Sequence, residues 1–134
     1  WRVLIANSEA HPPIIVDVGA NVGSHASYPA ALGARVYAIE PHPYHARRLM
    51  HMAHLNEWDM TVFAGAAHDS DGQGVIHLLE GGHLVMRNVV EVEEEGLAIA
   101  RTYDVGLVRV DTLVRERRKV LLLKLDTDGH ELQA

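Results

Sequence analysis

The stretch Val16-Asp17-Val18-Gly19-Ala20-Asn21-Val22-Gly23-Ser24 carries an apolar run into a turn with two glycines. Glycine at such a turn lets the main chain approach a ligand closely, because it has no Cβ and takes positive φ freely. The helix expected after the turn offers unpaired N–H groups to a carboxylate or phosphate. Glu40 stands 21 positions beyond Gly19. A carboxylate at the end of the next strand can accept both hydroxyls of a ribose. Turn and acid together point to a nucleoside-containing ligand. The competing reading is a turn with a purely structural purpose.

The details narrow the nucleoside. A dinucleotide fingerprint is G-x-G-x-x-G, and here Asn21 and Ser24 stand where its second and third glycines belong. Asn21 would crowd a pyrophosphate, which disfavours NAD and an oxidoreductase. No Gly-Lys-Ser/Thr occurs, so there is no phosphate loop of the nucleotide triphosphatase kind. The large class that remains uses S-adenosylmethionine (SAM).

Other polar residues have two readings each. Asp17 lies within an apolar strand, where it either braces the glycine loop by hydrogen bonds or meets ligand. Asp126 and Asp128 end an apolar run before Gly129-His130-Glu131-Leu132, so they read as site residues or as a helix N-cap. The ten histidines invite a metal reading. His42, His45, His51 and His54 share one helical stretch without an interleaved acid, so a solvated face is the expectation and no metal. His25 and His130 adjoin the two turns that face ligand.

These residues need elements to hold them. Ile14 to Val18 reads as a buried strand, and Ser24 to Leu32 as a small-residue helix with Gly33 at its C-cap. Pro29 should kink or shorten that helix. Arg35 to Ile39 is a second strand, Tyr44 to Leu55 a helix closed by Asn56, and Met60 to Ala64 a third strand. Such alternation argues for a parallel sheet with crossover helices. Residues 75–105 read as an insertion: a strand over Val75 to Leu79, a turn at Gly81-Gly82, and Leu84 to Val90 pairing back antiparallel. Glu91 to Glu95 reads as a solvated, acidic loop. Leu107 to Val110 is a further strand, Thr112 to Arg118 a short helix, and Val120 to Leu125 the most apolar strand.

Composition sets the bounds. A chain of 134 residues fits one domain and can bury a real core. There is no cysteine, which removes disulfides, thiolate nucleophiles and Cys-ligated metal centres. Twelve basic residues against eighteen acidic give a net charge of −6, which weighs against a nucleic-acid partner. No apolar run approaches the ~20 residues of a membrane span, and no signal-peptide pattern is present, so the expected setting is the cytoplasm and not a membrane. The chain begins at Trp1 and ends at Ala134 inside what reads as a new helix. It is therefore expected to be a piece of a longer protein.

Four stretches carry a family resemblance: Val16 to His25, Val36-Tyr37-Ala38-Ile39-Glu40-Pro41-His42-Pro43, Ala66-Ala67-His68-Asp69-Ser70-Asp71-Gly72, and Lys124-Leu125-Asp126-Thr127-Asp128-Gly129-His130-Glu131-Leu132. In order and spacing they resemble the FkbM-type SAM-dependent methyltransferases from about residue 12 onward. The first two are shared widely among class I methyltransferases, and the last two are more selective. The family more often has Glu where Asp128 stands, and Leu or Val where His68 stands.

The resemblance implies an α/β, Rossmann-like class I methyltransferase sheet with helices on both faces. It would be truncated after the fourth parallel strand and carry a small β insertion, all within one incomplete domain over 1–134. It further implies a cofactor site in which Gly19 and Asn21 line the methionine end of SAM, within the turn that closes at Gly23. Glu40 would take the ribose, and Ala67 and His68 would flank adenine. Asp126 would stand beside the reacting methyl, with Asp126 or His130 as the base. The implied reaction is O-methylation, or methylation of an amine, of a small molecule or sugar. An inactive SAM-binding domain is the alternative.

Overall fold

A computed structural model describes residues 11–86, 89–116, 119–128 and 131. Over these described residues the chain is an α/β protein with a mixed seven-stranded sheet. Strand β1 is Ile14–Val18, followed by helix α1 (Ser27–Ala31), strand β2 (Arg35–Glu40), helix α2 (Pro43–Leu55) and strand β3 (Met60–Ala67). Then come β4 (Gly72–Leu79), β5 (Leu84–Val85), α3 (Val89–Glu94), β6 (Ile99–Val108), α4 (Val110–Leu113) and β7 (Val120–Leu125). The sheet order is β5-β4-β6-β3-β2-β1-β7.

β1 is buried at every position, as its unbroken apolar run demands of a strand covered on both faces. It pairs in parallel with β2 on one side and with β7 on the other. Ile15, Val36 and Ala38 face one way and pack against Ala26, which caps α1, Ala30 of α1 and Leu49 of α2. Ile14, Val16, Val18 and Ile39 face the other way, against Val110, Leu113 and Val114. Helices thus cover both faces.

α1 begins at Ser27 and not at Ser24. Asn21 and Gly23 just before it both take positive φ, at 51° and 89°, and the Ser27 N–H already donates to the Gly23 carbonyl at 2.9 Å, so residues 24–26 form the turn that leads into the helix. α2 follows expectation. Pro43 sits at its first position, the His42 ring caps the Tyr44 N–H, and Asn56 closes it on the Met52 carbonyl.

The 75–105 region is where the fold departs most from the sequence reading. Residues 99–105, read as part of a loop or hairpin insertion, are most of the ten-residue strand β6. β6 lies between β4 and β3, antiparallel to the first and parallel to the second. β7, expected as the fourth parallel strand, is therefore the fifth in a parallel run of β6, β3, β2, β1 and β7. Part of the expected acidic loop is the helix α3, and the helix expected over Thr112 to Arg118 is the single turn α4 among the described residues. β7 forms a sheet edge, and Leu121, Leu122, Leu123 and Leu125 remain 37–47% exposed.

Candidate functional site

The carboxyl ends of β1, β2, β3 and β7 meet at a cavity of about 310 Å³. In an open parallel sheet this end is where strands stop and loops diverge, leaving a crevice.

The turn after β1 is held from beneath. The N–H groups of Gly19 and Ala20 both donate to the Ile39 carbonyl, at 2.9 and 3.1 Å. The Asn21 N–H donates to Glu40 Oε2 at 2.7 Å, and the His42 N–H donates to Glu40 Oε1 at 2.7 Å. Asn21 tolerates its left-handed φ better than most non-glycine residues. That conformation turns its N–H toward Glu40, so an asparagine does here what a glycine would otherwise do. The first amides of the turn are consequently engaged by protein acceptors.

Glu40 is 3% exposed and still reaches the cavity wall. Burial raises its pKa above the usual glutamate value, and the His42 and Asn21 N–H groups oppose that rise. Next to it stand His42 and His45, their rings stacked with centroids 4.5 Å apart. Burial lowers the pKa of both, which favours the uncharged imidazole. These two were expected on a solvated face. They line the cavity because the first turn of α2 abuts the end of β2, whereas His51 and His54 further along α2 are exposed.

Across the cavity, β7 brings Lys124 and Asp126. Lys124 Nζ donates to the Gly19 carbonyl at 2.8 Å and lies 3.1 Å from Asp17 Oδ1 and 3.6 Å from Asp126 Oδ2. Asp17 is 1% exposed, and burial raises its pKa against the pull of Lys124. The Asp126 side chain is 72% exposed at the cavity mouth, and its N–H pairs with the Val18 carbonyl. The β4–β5 hairpin supplies the remaining wall through Ile76, Leu84, Val85 and Met86, and His83 approaches Asp128 at 3.6 Å.

Of the residues singled out in the sequence as candidate site residues, Gly19, Asn21, His25, Glu40, Ala67, Asp126 and Asp128 are brought together on this cavity. Asp17 lies behind the wall, against Lys124. Gly23 faces away, toward Leu49. His68 lines a separate, open depression with Arg109, Asp111 and Glu116, and its ring approaches Ser70 and Asp69. His130 falls outside the described residues. Sequence reasoning passed over Lys124, His42, His45 and the hairpin wall. Lys124 carried a visible signal: it is the one charge inside the apolar strand Val120 to Leu125, two positions before Asp126. Among the described residues no cluster of three or more His, Asp or Glu is arranged to hold a metal ion, and no helix is long and apolar enough to cross a membrane.

A mainly parallel sheet with a glycine turn after one strand, a buried acid at the end of the next and a cavity between them defines the class: an α/β domain with a crevice at the carboxyl ends of its strands. The chain belongs to the FkbM methyltransferase family, whose domain model matches residues 17–134. That span contains the turn, Glu40, Lys124 and Asp126, and it makes the chain a methyltransferase domain. No curated protein and no solved structure is similar enough to the chain to count as a match.

Proposed function

We propose that this domain has the Rossmann-like arrangement of class I methyltransferases, binds SAM in the cavity, and transfers its methyl group to a hydroxyl or amine of a small molecule or carbohydrate. The observation that carries the reading is the state of Glu40. Each carboxylate oxygen has two acceptor positions. One on each is taken by a main-chain N–H, so one on each is left, which suits the paired hydroxyls of a ribose. Engagement of the Asn21 N–H by Glu40 also removes an amide that a dinucleotide pyrophosphate would use, which favours SAM over NAD.

SAM, when bound, supplies a methyl group on a sulfonium, an electrophile that needs an aligned nucleophile and little more. The protein's part is orientation and proton removal. Glu40 holds the ribose, Gly19 and Asn21 border the methionine end, and Ala67 and Ile39 offer an apolar wall for adenine. Asp126, open at the mouth, accepts the proton of the acceptor's hydroxyl or amine. The hairpin wall of Ile76, Leu84 and Met86 stands where the acceptor's body would rest. His130 is the other candidate base.

The test is calorimetric titration with SAM, S-adenosylhomocysteine and NAD. Binding of the first two and not the third is expected. Binding of NAD alone would replace this reading with that of an oxidoreductase. Transfer of labelled methyl to a panel of hydroxylated and amino metabolites then separates an enzyme from an inactive binding domain.

A further inference from the structure

Lys124 is the cavity-lining residue whose surroundings are least like those of a surface lysine. It pairs in register with Asp17 across the β1–β7 ladder, so both side chains leave the sheet on the same face. Its ammonium sits where four oxygens converge: the carbonyls of Gly19 at 2.8 Å and Val18 at 3.3 Å, Asp17 Oδ1 at 3.1 Å and Asp126 Oδ2 at 3.6 Å. An ammonium has three protons and no lone pair. Two of its hydrogen bonds go to main-chain carbonyls, and the carboxylates of Asp17 and Asp126 flank it as ion-pair partners. Its reach is wide, because its partners lie on the glycine turn, in the buried strand β1 and at the exposed mouth.

We propose that Lys124 is a positioning residue for the cofactor site. It ties the Gly19 carbonyl to β7, so that the turn presents Asn21 to Glu40. It also restrains the carboxylate of Asp126, which would otherwise swing freely at the mouth. The proposal rests on the SAM reading only for its affinity measurement. A lesser role competes with it: Lys124 as nothing more than the counter-ion of buried Asp17. Removing the lysine alone would unfavourably strand that carboxylate, which by itself destabilises a fold. The two roles separate when Asp17 is neutralised as well.

The experiment compares Lys124→Met, Asp17→Asn and the double variant Asp17→Asn/Lys124→Met with the parent chain. Three readouts are taken: thermal stability, S-adenosylhomocysteine affinity by calorimetry, and hydrogen exchange of the Gly19 and Asn21 amides by NMR. The double variant should recover the stability that Lys124→Met loses. It should remain about tenfold weaker than Asp17→Asn in affinity, with both amides exchanging about tenfold faster. If Lys124→Met does not fold, the comparison of the double variant with Asp17→Asn decides alone. Affinity and exchange in the double variant equal to those of Asp17→Asn would reduce Lys124 to a counter-ion and overturn the proposal. A parent chain that binds no S-adenosylhomocysteine would overturn the SAM reading instead, and amide exchange would still decide the place of Lys124.

Discussion

The carbonyl oxygen of Asp126 occupies the place where a side chain on Gly19 would begin. A Cβ built on Gly19 would lie 1.8 Å from that oxygen, and the residue's φ is +72°. The sequence suggested that this glycine leaves room for a ligand. The closer constraint is protein: β7 ends so near the turn after β1 that only a hydrogen fits between them.

Gly19→Ala should therefore act first on stability. Left-handed backbone costs a non-glycine residue about 1–2 kcal/mol, and the overlap with Asp126 adds a penalty of roughly 1–3 kcal/mol. Thermal unfolding should show a fall in Tm of several degrees or more. Gly33→Ala is the control: its φ is +88° but nothing lies within 4 Å of the added Cβ, so the smaller strain cost alone should appear. Equal losses at the two positions would refute the contact argument.

Replacing Glu40 by Gln keeps the shape but turns one acceptor into a donor that faces a main-chain N–H. S-adenosylhomocysteine affinity should drop at least about tenfold, given roughly 1.5–3 kcal/mol for a charge-assisted hydrogen bond. Unchanged affinity by calorimetry would remove Glu40 from the ribose site.

Glu40 also gives affinity a pH signature. Its pKa is raised by burial, and the carboxylate is the form that accepts ribose hydroxyls. Affinity should fall on acidification, beginning above the pH at which an ordinary glutamate titrates. Its effect on stability runs oppositely. A raised folded pKa means the folded state holds the proton more tightly, so this contribution is largest below the unfolded value of 4.5 and declines as pH rises through the raised one. In Glu40→Gln both dependences should flatten.

Glu116 joins the segment after α4 to β2. It accepts from the Tyr37 hydroxyl and, at 2.7 Å, from Arg35, which also pairs with Asp59. The Tyr37 hydroxyl and Arg35 hold its pKa below the usual value. That stabilisation is present above the unfolded pKa and is lost as pH falls through the lowered folded one. Glu116→Gln should cost roughly 1–2 kcal/mol near neutrality, since Arg35 is partly solvated and Tyr37 is not. The deficit in Tm should vanish in acid; a deficit constant with pH would argue for lost packing instead.

The exposed leucines of β7 predict self-association. An apolar strand at a sheet edge presents unpaired main-chain groups beside solvent-exposed apolar side chains. Light scattering should rise with concentration, and Leu123→Lys, at the most exposed of these positions, should suppress it. A monomeric parent chain at high concentration would count against this.

The elements around the site were legible because each is specified locally. The apolar run of β1, the glycines after it, and Pro43 with the Asn56 stop around α2 act over a few residues, and the strand–helix alternation they create leaves few topologies. Glu40 could be placed from its strand for the same reason. Of β6 only the end is legible in the sequence, as part of Leu107 to Val110, although Ile99, Tyr103 and Val105 alternate ahead of it, because the glycines of residues 72–82 favour a hairpin insertion. Which strand lies beside β3 is a long-range choice. β4 follows β3 in sequence, yet β6 takes that place, because pairing is settled by side-chain burial across the sheet and not by order along the chain. Lys124 shows the same division. Its type and position could be read, but its meaning depends on β7 returning beside β1, a pairing across 107 residues between Asp17 and Lys124. The sequence by itself determined where β1, β2 and β7 end, but not that β3 runs on to Ala67. Only the tertiary structure decided that those ends share one cavity, that His68 stands outside it, and that the oxygens of residues 17, 18, 19 and 126 converge on one ammonium.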